Sequence, residues 1–306
     1  MASRYAVIDV GSNTMKLLIA EPAADGTFER VYETARPARL GRGIAERQLR
    51  ESVIDSALET LGQFAALCRA NRVEDIAAVG TSALRDAENR VEFVNRARSA
   101  GIPLEVIPGD EEARLSFLAV RRDPQWRPFP HLLVIDIGGG STEVIFGGPS
   151  EVENRVSLPL GAVRLTEAAL HSDPPTVLEM AEASRLATDG LQGMAAAAAN
   201  YKVVGVGGTV ANMGRVALGM SRDQVIGDRL HGSRLTQFEV ESQIERYASR
   251  GLEQRKRILG LDPERADVIL GGAIILRQVM QRAEVNEVDV STRGLRWGLL
   301  YDRFGR

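Results

Sequence analysis

Short apolar runs alternate with longer amphipathic patterns along the first 120 residues. The runs RYAVIDV and MKLLIAE predict two strands around a four-residue turn, Gly11 to Thr14. ESVIDSALETLGQFAALCRAN has apolar residues at helical spacing and predicts a long amphipathic helix. IAAVGTS then predicts a buried strand, ENRVEFVNRARSAG a helix that ends at Gly101, LEVIPG a strand, and DEEARLSFLAV the start of a helix.

The pattern restarts after a proline-rich segment, RRDPQWRPFPH, which is the predicted linker. A strand hairpin at 132–147, helices through 162–199, the short strand KVVGVGGT and a mostly helical remainder follow. The alanine run 195–199 indicates helix-forming sequence without a function of its own. Strands that alternate with helices in two halves predict two α/β domains, 1–125 and 126–306, with a cleft between them.

The two halves open on nearly the same sequence. RYAVIDVGSNTMKLLIAE begins at residue 4 and HLLVIDIGGGSTEVIFGG at residue 131, and Asp9 aligns with Asp136 at an offset of 136 − 9 = 127 residues. That offset is far too long for a solenoid repeat, so it indicates two related halves. The aligned turn residues are Gly11 with Gly138, Ser12 with Gly139, Asn13 with Gly140 and Thr14 with Ser141.

The second turn predicts a pair of opposed carboxylates. If Gly138 to Ser141 form the loop, Asp136 faces Glu143 across the strands, with Cβ atoms roughly 4.5–5.5 Å apart. Such a pair repels unless a cation lies between its members, and a hard oxygen site with few protein ligands suits Mg²⁺. The alternative is a plain hairpin whose carboxylates face solvent. In the first copy the same register sets Asp9 opposite Lys16, which predicts a simple ion pair.

Glycine-rich turns can bring backbone N–H groups close to an anion. A third cluster, VVGVGGTVANMG, places Gly207, Gly208 and Thr209 at a helix N-terminus, which favours anions. Arg85, in TSALRDAENR, is either a bidentate phosphate partner or a solvated surface residue.

Three acidic residues occupy the first helical turn of PGDEEARLSF. Asp110, Glu111 and Glu112 there either complement the helix dipole or supply a general base. Helical periodicity does not choose between Glu111 and Glu112.

Composition limits the classes of partner. The 306 residues suffice for two domains, and 44% hydrophobic with 26% charged residues is typical of a globular protein. A net charge of −3 gives no overall attraction to nucleic acid or another polyanion, so an anionic ligand needs a local cluster. No apolar run spans a bilayer and no signal peptide precedes Asp9, so we expect a cytoplasmic protein. The single cysteine, Cys68, excludes an internal disulfide and fits a buried helix position.

Six motifs occur together and in order: DVGSNT, GTSALRDA, GDEEARLSF, DIGGGSTE, GVGGT and RADVILGGA. As a set they resemble the exopolyphosphatase/guanosine pentaphosphate phosphatase (Ppx/GppA) family, within the actin-like, sugar-kinase and Hsp70 ATPase superfamily. The chain is most similar to the short, two-domain members. The resemblance implies two ribonuclease-H-like domains with the active site in the cleft between them, and a homodimer.

The resemblance also implies roles for individual residues. Glu112 would be the catalytic base, Asp136 and Glu143 the Mg²⁺ carboxylates, and Arg85 and Arg265 contacts of the phosphate chain. The implied reaction is hydrolysis of the terminal phosphoanhydride of inorganic polyphosphate, with guanosine pentaphosphate as a second substrate.

Two alternatives of other classes remain open from the sequence. One is a non-catalytic sensor of alarmones or nucleotides. The other is an ATP-dependent small-molecule kinase of the same superfamily, although the branch that uses a cysteine-rich zinc site is excluded by the single cysteine.

Overall fold

The structure is a computed structural model that describes residues 3–41, 47–195, 200–221 and 229–305. The chain separates into two compact units, Met1–Arg122 with Leu295–Arg306, and Asp123–Gly294. The sequence-based division at 125/126 assigned the whole C-terminal part to the second domain. The structure differs there, because the last twelve residues belong to the first unit.

The first unit is built on a five-stranded sheet. The elements up to Arg122 are β1 Tyr5–Val10, β2 Thr14–Pro22, β3 Phe28–Pro37, α1 Glu51–Ala70, β4 Asp75–Gly80, α2 Ser82–Asp86, α3 Arg90–Ser99, β5 Leu104–Val106 and α4 Gly109–Arg122. The strands lie in the order β3-β2-β1-β4-β5, with β1 antiparallel to β2, β2 antiparallel to β3, and β4 and β5 parallel to β1.

The second unit repeats this topology. Its elements are β6 Leu132–Ile137, β7 Thr142–Gly147, β8 Val152–Leu158, α5 Ala162–Ala169, α6 Val177–Gly190, β9 Lys202–Val206, α7 Gly207–Ala217, β10 Arg234–Thr236, α8 Gln237–Ala248, α9 Leu252–Arg255, a 3₁₀ helix Pro263–Arg265, α10 Ile269–Ala283 and β11 Glu287–Val290. The last helix, α11 Leu295–Phe304, belongs to the first unit. The strands of the second unit lie in the order β8-β7-β6-β9-β11, and β10 extends the sheet as an antiparallel neighbour of β11. Two such α/β sheets confirm the predicted pair of ribonuclease-H-like domains.

The central strand β1 is buried on both faces, which explains its continuous apolar run. Ile8 packs on one side of the sheet, in the cluster that contains Phe64 and Cys68 of α1. Val7 packs on the other side, in the cluster that contains Leu115 of α4 and several residues of α11. Cys68 is buried as expected, and burial raises the pKa of its thiol to about 11, so the thiol is unreactive at neutral pH.

The proline-rich segment predicted as a linker is packed into the second unit. The Trp126 side chain has no exposed surface, and its indole N–H donates to Asp289 Oδ2 at 3.0 Å. Asp123 Oδ2 lies 3.1 Å from His231 Nε2. Although burial raises the pKa of Asp123, the hydrogen bond with His231 holds it below its usual range. The segment is therefore part of a folded unit.

Two further expectations differ from the structure. Helices are predicted through residue 199, but α6 stops at Gly190 and residues 191–195 are not helical, while residues 196–199 of the alanine run lie outside the described part of the chain. The remainder predicted as mostly helical also contains the strands β10 and β11. Among the described residues, no helix is long and apolar enough to cross a bilayer.

Candidate functional site

The registers of the two hairpins are those predicted from the repeat. Asp9 lies opposite Lys16 in the first unit, and Asp136 lies opposite Glu143 in the second. Lys16 Nζ is 3.4 Å from Asp9 Oδ2, so the predicted ion pair of the first hairpin is present. The same strand position thus carries a cation in one unit and a second carboxylate in the other.

The Glu143 side chain is buried inside the second hairpin and does not face solvent. Its residue has no exposed surface, and its Oε1 accepts a hydrogen bond from Ser157 Oγ at 2.7 Å. Ser157 lies opposite Glu143 in the β7–β8 register, so Asp136, Glu143 and Ser157 occupy one row across three strands. A buried carboxylate needs such partners, because loss of hydration is otherwise costly.

This pair of carboxylates fits a magnesium ion. Directly opposed positions on neighbouring strands supply two hard oxygen ligands, and Mg²⁺ usually takes only one or two carboxylates and completes its shell with water and phosphate. Within the described residues, no group of three or more His, Cys, Asp or Glu side chains is placed to hold a metal.

Two glycine backbones enclose the Asp136 carboxylate. A Cβ atom added to Gly207 would lie 2.6 Å from Asp136 Oδ1, and one added to Gly294 would lie 3.9 Å from Asp136 Oδ2. Gly207 also has φ +87°, in the left-handed region that favours glycine. Any side chain at position 207 would therefore displace the carboxylate.

Arg265 lies over the N-terminus of α7. A Cβ atom on Gly208 would be 2.1 Å from Arg265 Cζ, so the guanidinium is seated directly against the glycine backbone. A helix N-terminus and a guanidinium both attract phosphate oxygens, and the structure brings them together. Thr209 lies in the first turn of α7, as predicted, and its buried side chain points at Gly272 of α10, where an added Cβ would be 2.5 Å from Thr209 Oγ1.

The first amide of each turn closes the turn itself. Gly11 N–H donates to the Thr14 carbonyl at 3.2 Å, and Gly138 N–H donates to the Ser141 carbonyl at 2.9 Å. These two N–H groups are therefore used for hydrogen bonds within the turns. Ser12 has a different local function, because its Oγ accepts from Ala83 N–H of α2 at 3.1 Å.

Each turn packs closely against a glycine that was not among the predicted site residues. A Cβ atom on Gly161 would lie 2.4 Å from the Gly139 carbonyl, and one on Gly41 would lie 3.0 Å from Ser12 Cβ. Ser12 and Gly139 are equivalent in the repeat, so the two contacts are equivalent as well. A Leu-Gly pair after the third strand of each half was the available signal.

The structure distinguishes Glu111 from Glu112, between which helical periodicity did not choose. Glu111 accepts from Arg114 through both oxygens, at 2.8 and 2.7 Å, and Arg114 also donates to Asp302 at 2.6 Å. The hydrogen bonds that Arg114 donates to Glu111 and Asp302 raise its pKa, despite partial burial. Glu112 is 8% exposed, and its Oε2 accepts from Arg85 Nη1 at 2.6 Å. The two neighbours thus belong to different networks.

Comparisons with known proteins agree along the whole chain. The profile of the Ppx/GppA phosphatase family matches residues 18–306. Exopolyphosphatase 2 of Mycobacterium tuberculosis is 33% identical over 97% of each chain, and exopolyphosphatase 1 of Mycobacterium bovis is 31% identical over 97% of this chain and 87% of that one.

Solved structures give the same result. The Ppx/GppA family member of Aquifex aeolicus superposes with a TM-score of 0.81 at 32% identity, over 99% of this chain and 97% of that chain. An exopolyphosphatase from Cytophaga hutchinsonii superposes with a TM-score of 0.87 at 26% identity, over 98% of this chain and 97% of that chain.

Proposed function

The chain belongs to the Ppx/GppA phosphatase family, and we propose on that basis that it is an exopolyphosphatase. The reaction is hydrolysis of the terminal phosphoanhydride of inorganic polyphosphate. The observation that carries the proposal is the opposed pair Asp136 and Glu143, in a chain whose relatives over nearly its full length are exopolyphosphatases.

Glu112 is the proposed general base. It takes a proton from the attacking water, whose oxygen bonds to the terminal phosphorus while the bridging P–O bond breaks. The products are orthophosphate and a chain shortened by one phosphate. Burial and the contact with Arg85 distinguish Glu112 from Glu111, which is engaged by Arg114.

Asp136 and Glu143 are the proposed magnesium ligands. When bound, Mg²⁺ would offset the charge of the phosphoryl oxygens during transfer. The absence of a side chain at Gly207 leaves room for the Asp136 carboxylate, and Ser157 donates a hydrogen bond to Glu143. Arg265 and the N-terminus of α7 are the proposed contacts of the phosphate chain in this unit.

Guanosine pentaphosphate is the proposed second substrate, because its 5′-triphosphate ends in the same kind of phosphoanhydride. A cytoplasmic location, which is expected from the sequence, and a homodimer, which the family resemblance implies, complete the proposal.

The test is phosphate release from short polyphosphate, long polyphosphate, ATP and guanosine pentaphosphate. We expect release from polyphosphate to dominate that from ATP. Binding of guanosine pentaphosphate without any release would favour a sensor instead. Formation of ADP only in the presence of a small-molecule acceptor would favour a kinase.

The metal site has its own prediction. Asp136→Asn and Glu143→Gln should each raise the Mg²⁺ concentration that gives half-maximal activity by about tenfold or more, since each weakens a hard oxygen ligand. Glu151→Gln, at an exposed turn, is the matched control and should give the wild-type curve. Magnesium titrations of both site variants that overlay the wild type would remove the metal role from this hairpin.

A further inference from the structure

Arg85 is bound to the carboxylate that we propose as the base. Arg85 Nη1 lies 2.6 Å from Glu112 Oε2, and the two side chains keep only 21% and 10% of their surface exposed. The short distance and the limited exposure distinguish this pair from a solvated surface contact. The family resemblance gives Arg85 a contact with the phosphate chain, whereas the structure shows it on Glu112.

Both the side chain of Arg85 and the helix that carries it are packed against neighbouring residues. Arg85 Nη1 also donates to the Ile107 carbonyl at 3.2 Å, and Ile107 N–H donates to the Gly80 carbonyl at the end of β4. The helix α2 that carries Arg85 is pressed against β4, since a Cβ atom on Gly80 would be 2.3 Å from Leu84 Cδ1. The guanidinium is therefore presented to Glu112 from a rigid part of the first unit.

The other charged groups of α4 near Glu112 have different surroundings. Glu111 accepts from Arg114 through both oxygens, Arg114 continues to Asp302 of α11, and Asp110 is exposed. On the α2 side, Arg90 Nη1 donates to the backbone carbonyls of Arg85 and Ala87. Glu111 and Arg90 therefore contact other groups, whereas Arg85 forms an ion pair with Glu112.

We propose that Arg85 is a positioning residue that orients Glu112 and keeps it ionised for catalysis. The inference rests on the proposed function, because it takes Glu112 as the base. A guanidinium within hydrogen-bond distance favours the charged form of a carboxylate, so the base stays available at lower pH. A carboxylate has two oxygens with about four acceptor positions. One bond to Oε2 therefore does not use up its capacity to accept a proton.

Two substitutions of Arg85 test the proposal through the pH profile of kcat. Arg85→Met removes the charge at similar length, and we expect the acidic limb to move to higher pH by about one unit or more. In the same variant kcat at neutral pH should fall about tenfold or more, while KM for polyphosphate stays within about threefold. Arg85→Lys keeps the charge, so its acidic limb should stay near that of the wild type.

Arg90→Met is the matched control, because it removes a neighbouring cation that bonds only to backbone carbonyls in the contacts described above. Its acidic limb should not move. An unshifted acidic limb in Arg85→Met overturns the proposal, whatever happens to KM. If Arg85→Met folds but turns over too slowly for a profile, direct binding of polyphosphate decides: retained affinity supports the positioning role, and lost affinity overturns it.

Glu112→Gln, measured in parallel, distinguishes failure of this inference from failure of the proposed function. If Glu112→Gln keeps the wild-type kcat, Glu112 is not the base and both proposals fall. If Glu112→Gln loses activity while the limb of Arg85→Met does not move, only the role of Arg85 is wrong.

Discussion

At the scale of single residues, Glu111 and Glu112 show how adjacent carboxylates acquire different chemistry. Successive residues of an α-helix point about 100° apart, so the two side chains of α4 enter different surroundings. Glu111 meets Arg114 one turn further along the same helix, a spacing that is visible in the sequence. Glu112 meets Arg85, which comes from α2 and lies 27 residues earlier. Only the folded chain brings that partner near.

This difference predicts opposite results for two conservative substitutions. Glu112→Gln should lower kcat for polyphosphate by about 10²–10⁴-fold, because an amide cannot accept the proton of the attacking water. Glu111→Gln should stay near the wild-type rate, since it loses the charge that pairs with Arg114, and Arg114 keeps its ion pair with Asp302. Phosphate release at saturating polyphosphate measures both. The reverse outcome would move the base by one position.

The opposed pairs of the two hairpins could be predicted because a short turn fixes the register of its strands. Asp136 with Glu143, and Asp9 with Lys16, follow from that rule alone. Ser157 could not be found this way, since it reaches Glu143 from a third strand whose register the turn does not set.

The glycines that support the turns were missed for a similar reason. Gly41 and Gly161 touch them from loops about 20 to 30 residues further along the chain. Such contacts depend on tertiary packing, which hydrophobic periodicity does not encode.

At the scale of elements, the central strands of each sheet were predictable, and so was β5 at an edge, but the edge strands β3 and β8 were not. β1 and β6 are central and read as apolar runs. β3 and β8 lie at sheet edges and bury only one residue each, so their sequences FERVYETARP and VENRVSL show no strong apolar pattern. Charged side chains on edge strands also discourage pairing with other chains. The four-residue strand β11 is too short for a periodicity to appear.

The packing of α11 on α4 is another feature of this scale. A Cβ atom on Gly298 would lie 1.8 Å from the Leu115 carbonyl, so the two helices meet backbone to backbone at this point. Leu115 and Leu299 belong to the same core cluster of the first unit. The glycine permits an approach that a larger residue would prevent.

A pair of glycine substitutions in two helices of the first unit tests this contact. Gly298→Ala should lower the free energy of unfolding by about 1–3 kcal/mol, because the added methyl group forces the helices apart. Gly62→Ala, at a position of α1 where an added Cβ meets nothing within 4 Å, should raise it by about 0.5–1 kcal/mol. Urea denaturation of each variant gives both values. A stabilised Gly298→Ala would show that the helices do not pack as closely as described.

At the scale of the whole molecule, charge limits how the protein can hold a polyanion. The chain carries a net charge of −3, and Lys16, a candidate cation in the first hairpin, is already paired with Asp9. Arg265 lies at the N-terminus of α7, where backbone N–H groups would also contact the phosphate. Within the part of the chain that the structure describes, the cations noted beside the predicted phosphate contacts are thus few, namely Lys16, Arg265 and Arg164, whose Nε donates to the Gly140 carbonyl at 3.1 Å.

We therefore predict a modest salt dependence of binding. Each phosphate that is neutralised by Lys or Arg makes affinity fall with salt, and six to ten such contacts lose about 10³–10⁵ in affinity between roughly 50 and 200 mM salt. KM for polyphosphate should change by less than about tenfold over that range, with a weak preference between short and long chains. KM measured at four salt concentrations with both substrates is the test. A steep slope with a strong preference for long chains would require an extended basic surface.

The return of the C-terminal helix to the first unit has a consequence for the nascent chain. Residues up to Arg122 leave the ribosome first, yet their core also contains Leu295, Trp297, Leu299, Leu300 and Tyr301. Translation must add 301 − 122 = 179 residues before that core is complete, which takes roughly 10–40 s at about 5–20 residues per second. During that interval the apolar face of α4 lacks its partner and is open to chaperones. The second unit is fully synthesised at Gly294, so the unit whose translation begins first is the last to have its sequence completed.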